Sequence, residues 1–140
     1  MNKMEKHLQY TDEEFEALFD TCSLLPEDFT HEAHISLAWI HIRKYGLNVA
    51  ELHIIQQLQK YVRFLGAEDK FNHTLTVAAT KAVHHFIGKS TSTTFTEFIT
   101  EFPRLKSNFK DLMAQHYGFD IYHSQAAKAS FLEPYLLAFD

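Results

Sequence analysis

Two histidines one helical turn apart are the residues of this chain with the clearest potential for chemistry. His31 and His34 are three positions apart, so a helix would place both imidazoles on one face. Imidazole nitrogens bind zinc, copper, iron and nickel, and two imidazoles are a common half of a metal site. The pair lacks the glutamate of a His-Glu-x-x-His motif, so it does not indicate a metallopeptidase.

A third ligand would have to come from another part of the chain. His73 is our first candidate, because its polar neighbours indicate the start of a helix, and helix starts often lie at the mouth of a bundle. Thr76, Thr80 and His84 continue a polar stripe from His73. This stripe either faces solvent or faces the pair across a cleft, where its hydroxyls would orient the imidazoles. In the second case we predict that these three residues and Trp39 line the pocket.

The histidine pair lies on a segment with the pattern of an amphipathic helix. The segment runs from a cap at Thr30 or Asp28 to about Tyr45, and Gly46 ends it. At about 100° per residue, the histidines fall on the apolar face and Glu32 on the opposite face. This position disfavours Glu32 as a ligand but suits a neighbour that supports one; His84, His85 and a carboxylate from Asp28 or Glu32 stay open as additional ligands.

Helical signals recur through the rest of the chain. Thr11 and Thr94 each open a capping box, and Asn48 is the predicted cap of a helix whose apolar stripe is Leu52, Ile55, Leu58, Val62 and Leu65. A further helix is predicted over residues 105–117. Five or six helical segments with short connections predict one all-α domain over residues 1–140, a helical bundle with an irregular C-terminal arm.

The composition argues against several classes of function. The formal net charge is -5 and Lys and Arg do not cluster, so we expect no nucleic-acid partner. No apolar run approaches the roughly 18 residues of a membrane helix, and no signal peptide is evident, which predicts a cytoplasmic protein without a membrane partner. Cys22 is the single cysteine, which excludes an intramolecular disulfide and a cysteine-based zinc site.

Three short stretches, in order along the chain, resemble a pattern in small uncharacterised bacterial helical proteins. They are Phe-Thr-His-Glu-Ala-His-Ile at 29–35, His-Thr-Leu-Thr at 73–76, and Ser124 followed by Phe-Leu-Glu-Pro-Tyr-Leu at 131–136. The resemblance brings no activity with it, but it includes all three candidate metal ligands. Tyr135 stands where similar proteins would have an acidic residue, so the resemblance gives no role to an acid in the tail.

These observations predict a pocket between helices that is lined by histidines. It would bind a divalent transition metal (zinc, nickel, iron or manganese) through His31, His34 and His73, or a small polar ligand. In an enzyme, an open metal position would activate water, but the residues leave open whether the protein is an enzyme. The alternative is a non-enzymatic helical module that associates with itself or with a partner, and whose histidines are structural or sense pH.

Overall fold

The computed structural model describes residues 5–139, which form eight α-helices and no strand. The helices are α1 (Asp12–Asp20), α2 (His31–Tyr45), α3 (Leu47–Phe64), α4 (His73–Ile87), α5 (Phe95–Glu101), α6 (Arg104–Ser107), α7 (Phe109–His116) and α8 (Gln125–Ala129). The predicted all-α bundle is confirmed. The count exceeds six because Asn108 divides the helix predicted at 105–117 and because α8 forms at 125–129, where the sequence also allows a short helix. Within the described range, no helix is long and apolar enough to span a membrane.

Side-chain caps and one glycine set the main helix boundaries. Thr11 and Thr94 form the predicted capping boxes, and the Thr30 hydroxyl accepts a hydrogen bond from the third residue of α2. Gly46 is the one residue between α2 and α3, with φ 84° and ψ 166°. The cap predicted at Asn48 is wrong, because Gly46 adopts a conformation that L side chains avoid and lets the next helix begin two residues later than α2 ends.

The central element is α2, which is surrounded by α1, α3, α4, α5 and α6. Its residues are buried on nearly every side, and this includes Glu32 (6% exposed) and Ser36 (4% exposed). The prediction of a polar face opposite the histidines is therefore wrong. Over residues 32–42 the helix is packed on several sides and has no solvent face, whereas its two ends, at His31 and at residues 43–45, are exposed.

The buried stripe of α3 differs from the predicted one. Its buried residues are Ala50, Ile54, Leu58 and Tyr61. Leu52 is 54% exposed and Leu65 is 39% exposed, so the predicted stripe is wrong at these two positions. The buried face is therefore centred about 80° away from the predicted one, roughly a quarter turn, with Tyr61 buried and Leu65 exposed.

An irregular arm follows α8, as predicted, and α4 holds it in place. The Thr74 hydroxyl donates a hydrogen bond to the carbonyl of Ser130 (2.7 Å) and accepts one from the amide of Leu132 (3.0 Å). Asn72 also donates to the carbonyl of Ile121 (2.7 Å). The stretches at 73–76 and 124–136 therefore contact each other. Thr74 has a structural role in this contact, because its hydroxyl bonds the backbone of the arm.

Candidate functional site

At the N-terminal end of α2, the two predicted ligands have different surroundings. Exposed His31 donates from Nε2 to the carbonyl of Leu105 (2.8 Å), and its ring lies 4.7 Å from that of Phe109. His34 stacks on Phe29 at 5.5 Å, and its buried Nε2 has no partner among residues 5–139. Burial, together with the charge of His31, lowers the pKa of His34 to about 4, so this imidazole is neutral at pH 7.

The polar stripe of α4 is buried only in part. Thr76 and Thr80 are 3% and 1% exposed, and their hydroxyls donate to backbone carbonyls one turn earlier in the same chain segment. A solvent face is therefore wrong for both threonines. His84 is exposed, whereas half-buried His73 lies 6.0 Å from the ring of Phe71. Both threonine hydroxyls are already engaged by the backbone.

Trp39 lies away from these histidines. It is 4% exposed, and its ring is 5.9 Å from Phe95 and 6.4 Å from Phe98. The Arg43 guanidinium lies over it at 4.6 Å. Trp39 therefore belongs to the contact between α2 and α5, beside a cavity of about 290 Å³.

No three His, Cys, Asp or Glu side chains are arranged to hold a metal ion in the part of the chain that the structure describes. His31 and His34 are close enough for the charge of one to act on the other. A metal site that includes His73 remains a prediction.

Glu32 is the centre of a buried charge network that sequence reasoning missed. Its Oε2 accepts a hydrogen bond from His7 (2.6 Å), and its Oε1 accepts one from Lys106 (3.0 Å). The His7 and Glu32 side chains are only 2% and 7% exposed. The network joins the turn before α1, the start of α2 and α6, so Glu32 is held by paired groups at the same end of α2 where Nε2 of His34 has no partner among the described residues.

The C-terminal end of α2 contains a histidine without partners. His41 is fully buried, and neither of its ring nitrogens has a hydrogen bond to any described residue. Its Nε2 is 4.0 Å from Oε2 of Glu16, and its ring lies 5.4 Å from Tyr45 and 5.5 Å from His53. Burial lowers the pKa of His41 to about 4. The charge of Glu16 alone would raise this pKa, whereas the charges of His53 and Lys44 lower it further.

Glu16 faces His41 from α1. Its carboxylate accepts hydrogen bonds from Lys44 (2.8 Å) and from Tyr45 (2.6 Å). Burial alone would raise the pKa of Glu16, but these two hydrogen bonds, together with the charges of His41 and Lys44, hold it below its usual value. Glu16 is therefore ionised at neutral pH.

A cavity of about 330 Å³ opens between α1, α3 and the end of α2. We call it the acidic cleft; its polar lining includes Glu13, Glu16, Asp20, Tyr45, His53 and Gln57. Two buried atoms of this lining, Nδ1 of His53 and Oε1 of Gln57, have no hydrogen-bond partner within residues 5–139. The two ring nitrogens of His41, which lies behind the same wall, bring the number of unpartnered polar atoms here to four.

Sequence reasoning did not select His53 or Gln57 as site residues. The available signal was their spacing of four residues, which puts both side chains on one face of α3. That face lay outside the apolar stripe predicted for α3. The pairing of His41 with His53 depends on how α2 and α3 pack, which no local spacing reveals.

We compared the chain with protein-family models, with curated proteins and with solved structures, and none matched. The function must therefore be argued from the geometry of the described residues.

Proposed function

We propose that the protein binds a small polar ligand carrying a positively charged amine in the acidic cleft. The observation that carries this proposal is the set of unpartnered buried atoms on His41, His53 and Gln57. Each unpaired buried polar group costs about 1–3 kcal/mol, and native proteins leave few of them. A bound ligand with hydrogen-bonding groups would satisfy those that line the cleft.

The charge of the cleft favours a cation. Three carboxylates line it, from Glu13, Glu16 and Asp20, whereas the one lining cation, Lys44, already binds Glu16. The cleft also lies at the C-terminal end of α2, where the helix dipole is negative. An ammonium group would therefore meet an excess of negative charge.

The lining also supplies acceptors and an aromatic ring. An ammonium has three donors, and the Gln57 oxygen and the Asp20 carboxylate accept. Nδ1 of an uncharged His53 would accept as well. Tyr45 is 37% exposed, and its ring, which the Lys44 ammonium already approaches at 5.3 Å, adds an aromatic surface to the lining.

The variant Gln57→Ala tests the proposal. The matched control is Gln56→Ala, because Gln56 is the neighbouring residue but is exposed and lies outside the cleft. The probe is 1,4-diaminobutane, titrated by calorimetry and by backbone NMR. We expect saturable binding with shifts in α1 and α3, weakened about tenfold by Gln57→Ala and unchanged by Gln56→Ala. Absence of saturation up to about 10 mM, or equal weakening by both variants, would overturn the proposal.

A divalent metal at His31, His34 and His73 is a second candidate. The unpartnered Nε2 of His34, close to His31, supports it. Metal analysis of protein purified without a histidine tag tests it. Near-stoichiometric zinc, nickel, iron or manganese that is lost from a folded His31→Ala/His34→Ala variant would support the site. No bound metal, and no change in thermal stability when these ions are added, would exclude it.

A helical interaction module is the third candidate, supported by large exposed apolar side chains. Phe64 is 69% exposed and Tyr135 is 68% exposed. Sedimentation over a range of concentrations tests self-association, and Phe64→Ser should weaken it if α3 is the contact surface. A monomer at every concentration would contradict self-association.

A further inference from the structure

A second cavity, with basic side chains in its lining, lies between α4, α6, α7 and the C-terminal arm. Its volume is about 250 Å³. Four basic side chains line it, those of His85, Lys89, Arg104 and His116. No carboxylate of the described residues is part of the lining. The chain as a whole has 18 acidic and 13 basic residues, so this concentration of positive charge runs against the composition.

The two permanent cations are available for a ligand. Neither Lys89 nor Arg104 forms an ion pair with a carboxylate of residues 5–139, whereas Lys44, Lys81 and Lys106 each do. An arginine guanidinium binds a carboxylate or phosphate through two parallel hydrogen bonds, and a lysine adds a point charge. The geometry therefore suits an oxyanion.

The remaining wall is apolar except for Gln115 and includes the arm. The ring of Phe139 stacks on buried His116 at 3.9 Å with an interplanar angle of 25°. His116 donates from Nδ1 to the carbonyl of Leu137 (2.7 Å), and its own carbonyl accepts from the amide of Leu136 (3.1 Å). His116 thus holds the arm over the cavity, and Phe86 adds a second aromatic side chain to the lining.

We infer that this cavity binds a small organic anion, an oxyanion attached to an apolar body. Arg104 and Lys89 bind the charged end, and the apolar body lies against Phe86, Phe139 and the arm. The volume is below the range of drug-sized sites, which limits the ligand to a compact molecule. This site is separate from the acidic cleft and does not depend on it.

Benzoate, its neutral isostere benzamide and inorganic phosphate are the probes, each titrated into the full chain by calorimetry. We expect saturable benzoate binding, with benzamide weaker by about tenfold or more, because the charge-assisted hydrogen bonds are lost. Phosphate should also bind more weakly than benzoate, because it lacks the apolar body. Equal binding of benzoate and benzamide, or no saturable binding of benzoate, overturns the inference.

Variants locate the site. Arg104→Gln should weaken benzoate about tenfold, whereas Arg63→Gln, at another exposed arginine outside the cavity, should not. Phe139→Ala should weaken benzoate but leave phosphate unchanged, since it removes only the apolar wall. Thermal unfolding confirms that each variant folds. Equal loss in Arg104→Gln and Arg63→Gln would show nonspecific charge attraction and contradict the site.

Discussion

The two ends of α2 carry similar polar residues in different surroundings. At the N-terminal end, His31 binds a backbone carbonyl and Glu32 binds both His7 and Lys106. At the C-terminal end, His41 is buried without a hydrogen bond to the described chain, and a cavity lies beyond its neighbours. The difference separates two uses of polar residues inside a protein. Paired groups hold helices together, whereas unpaired groups beside a cavity indicate a place for a ligand.

The largest expected effect is at the paired end. Glu32→Ala leaves buried His7 without its carboxylate and leaves Lys106 with only Glu5 (3.8 Å), so we expect the free energy of unfolding to fall by about 3–5 kcal/mol. Urea unfolding measures the loss. Glu27→Ala is the control, because Glu27 is exposed and its side chain forms no ion pair or hydrogen bond with described residues. We expect it to change the free energy of unfolding very little. A loss below about 1 kcal/mol for Glu32→Ala would remove the contrast between the two ends.

Acid should weaken both ends through His34 and His41. Each has a folded pKa of about 4, below the ordinary value of 6.5, so the unfolded chain binds the proton more tightly. The two histidines therefore contribute fully to the free energy of unfolding above pH 6.5. This contribution is lost as the pH falls towards 4, and the free energy of unfolding decreases by at most about 3 kcal/mol for each residue.

Urea unfolding at several pH values measures this dependence. His34→Gln and His41→Gln should each flatten it, because glutamine does not titrate in this range. A slope unchanged in both variants would mean that other groups control acid stability.

The smallest effects have opposite signs at the two ends. His31→Leu loses the hydrogen bond to Leu105 and should lower the free energy of unfolding by about 1 kcal/mol. His41→Leu removes two unpartnered buried nitrogens with little change of volume and should raise it by about 1 kcal/mol. Chemical denaturation of both variants compares the signs. Destabilisation by His41→Leu would indicate that His41 already has a partner, such as bound water.

Local chemistry predicts much of this fold. The capping boxes at Thr11 and Thr94, the cap at Thr30 and the stop at Gly46 were all predictable, because each depends on residues within one helical turn. The class of fold follows from such signals and from apolar spacing.

The site depends on contacts between distant residues. Glu32 meets His7 across 25 positions and Lys106 across 74. A helix wheel assigns Glu32 to a polar face, but the number of helices around α2 decides whether any face reaches solvent. The same limit applies to His41 and His53, whose rings meet only through the packing of α2 on α3.

Gly46 has a consequence for how the acidic cleft can vary. The positive φ there, and not any side-chain contact, fixes the turn from α2 to α3, since a Cβ at this position would meet no atom within 4 Å. One backbone conformation thus constrains the angle at which the two helices present His41 and His53. The turn between α2 and α3 is thus set by the backbone, whereas the packing of α1 on α2 beside the same cleft depends on side chains of the lining, through Glu16 with Lys44 and Tyr45.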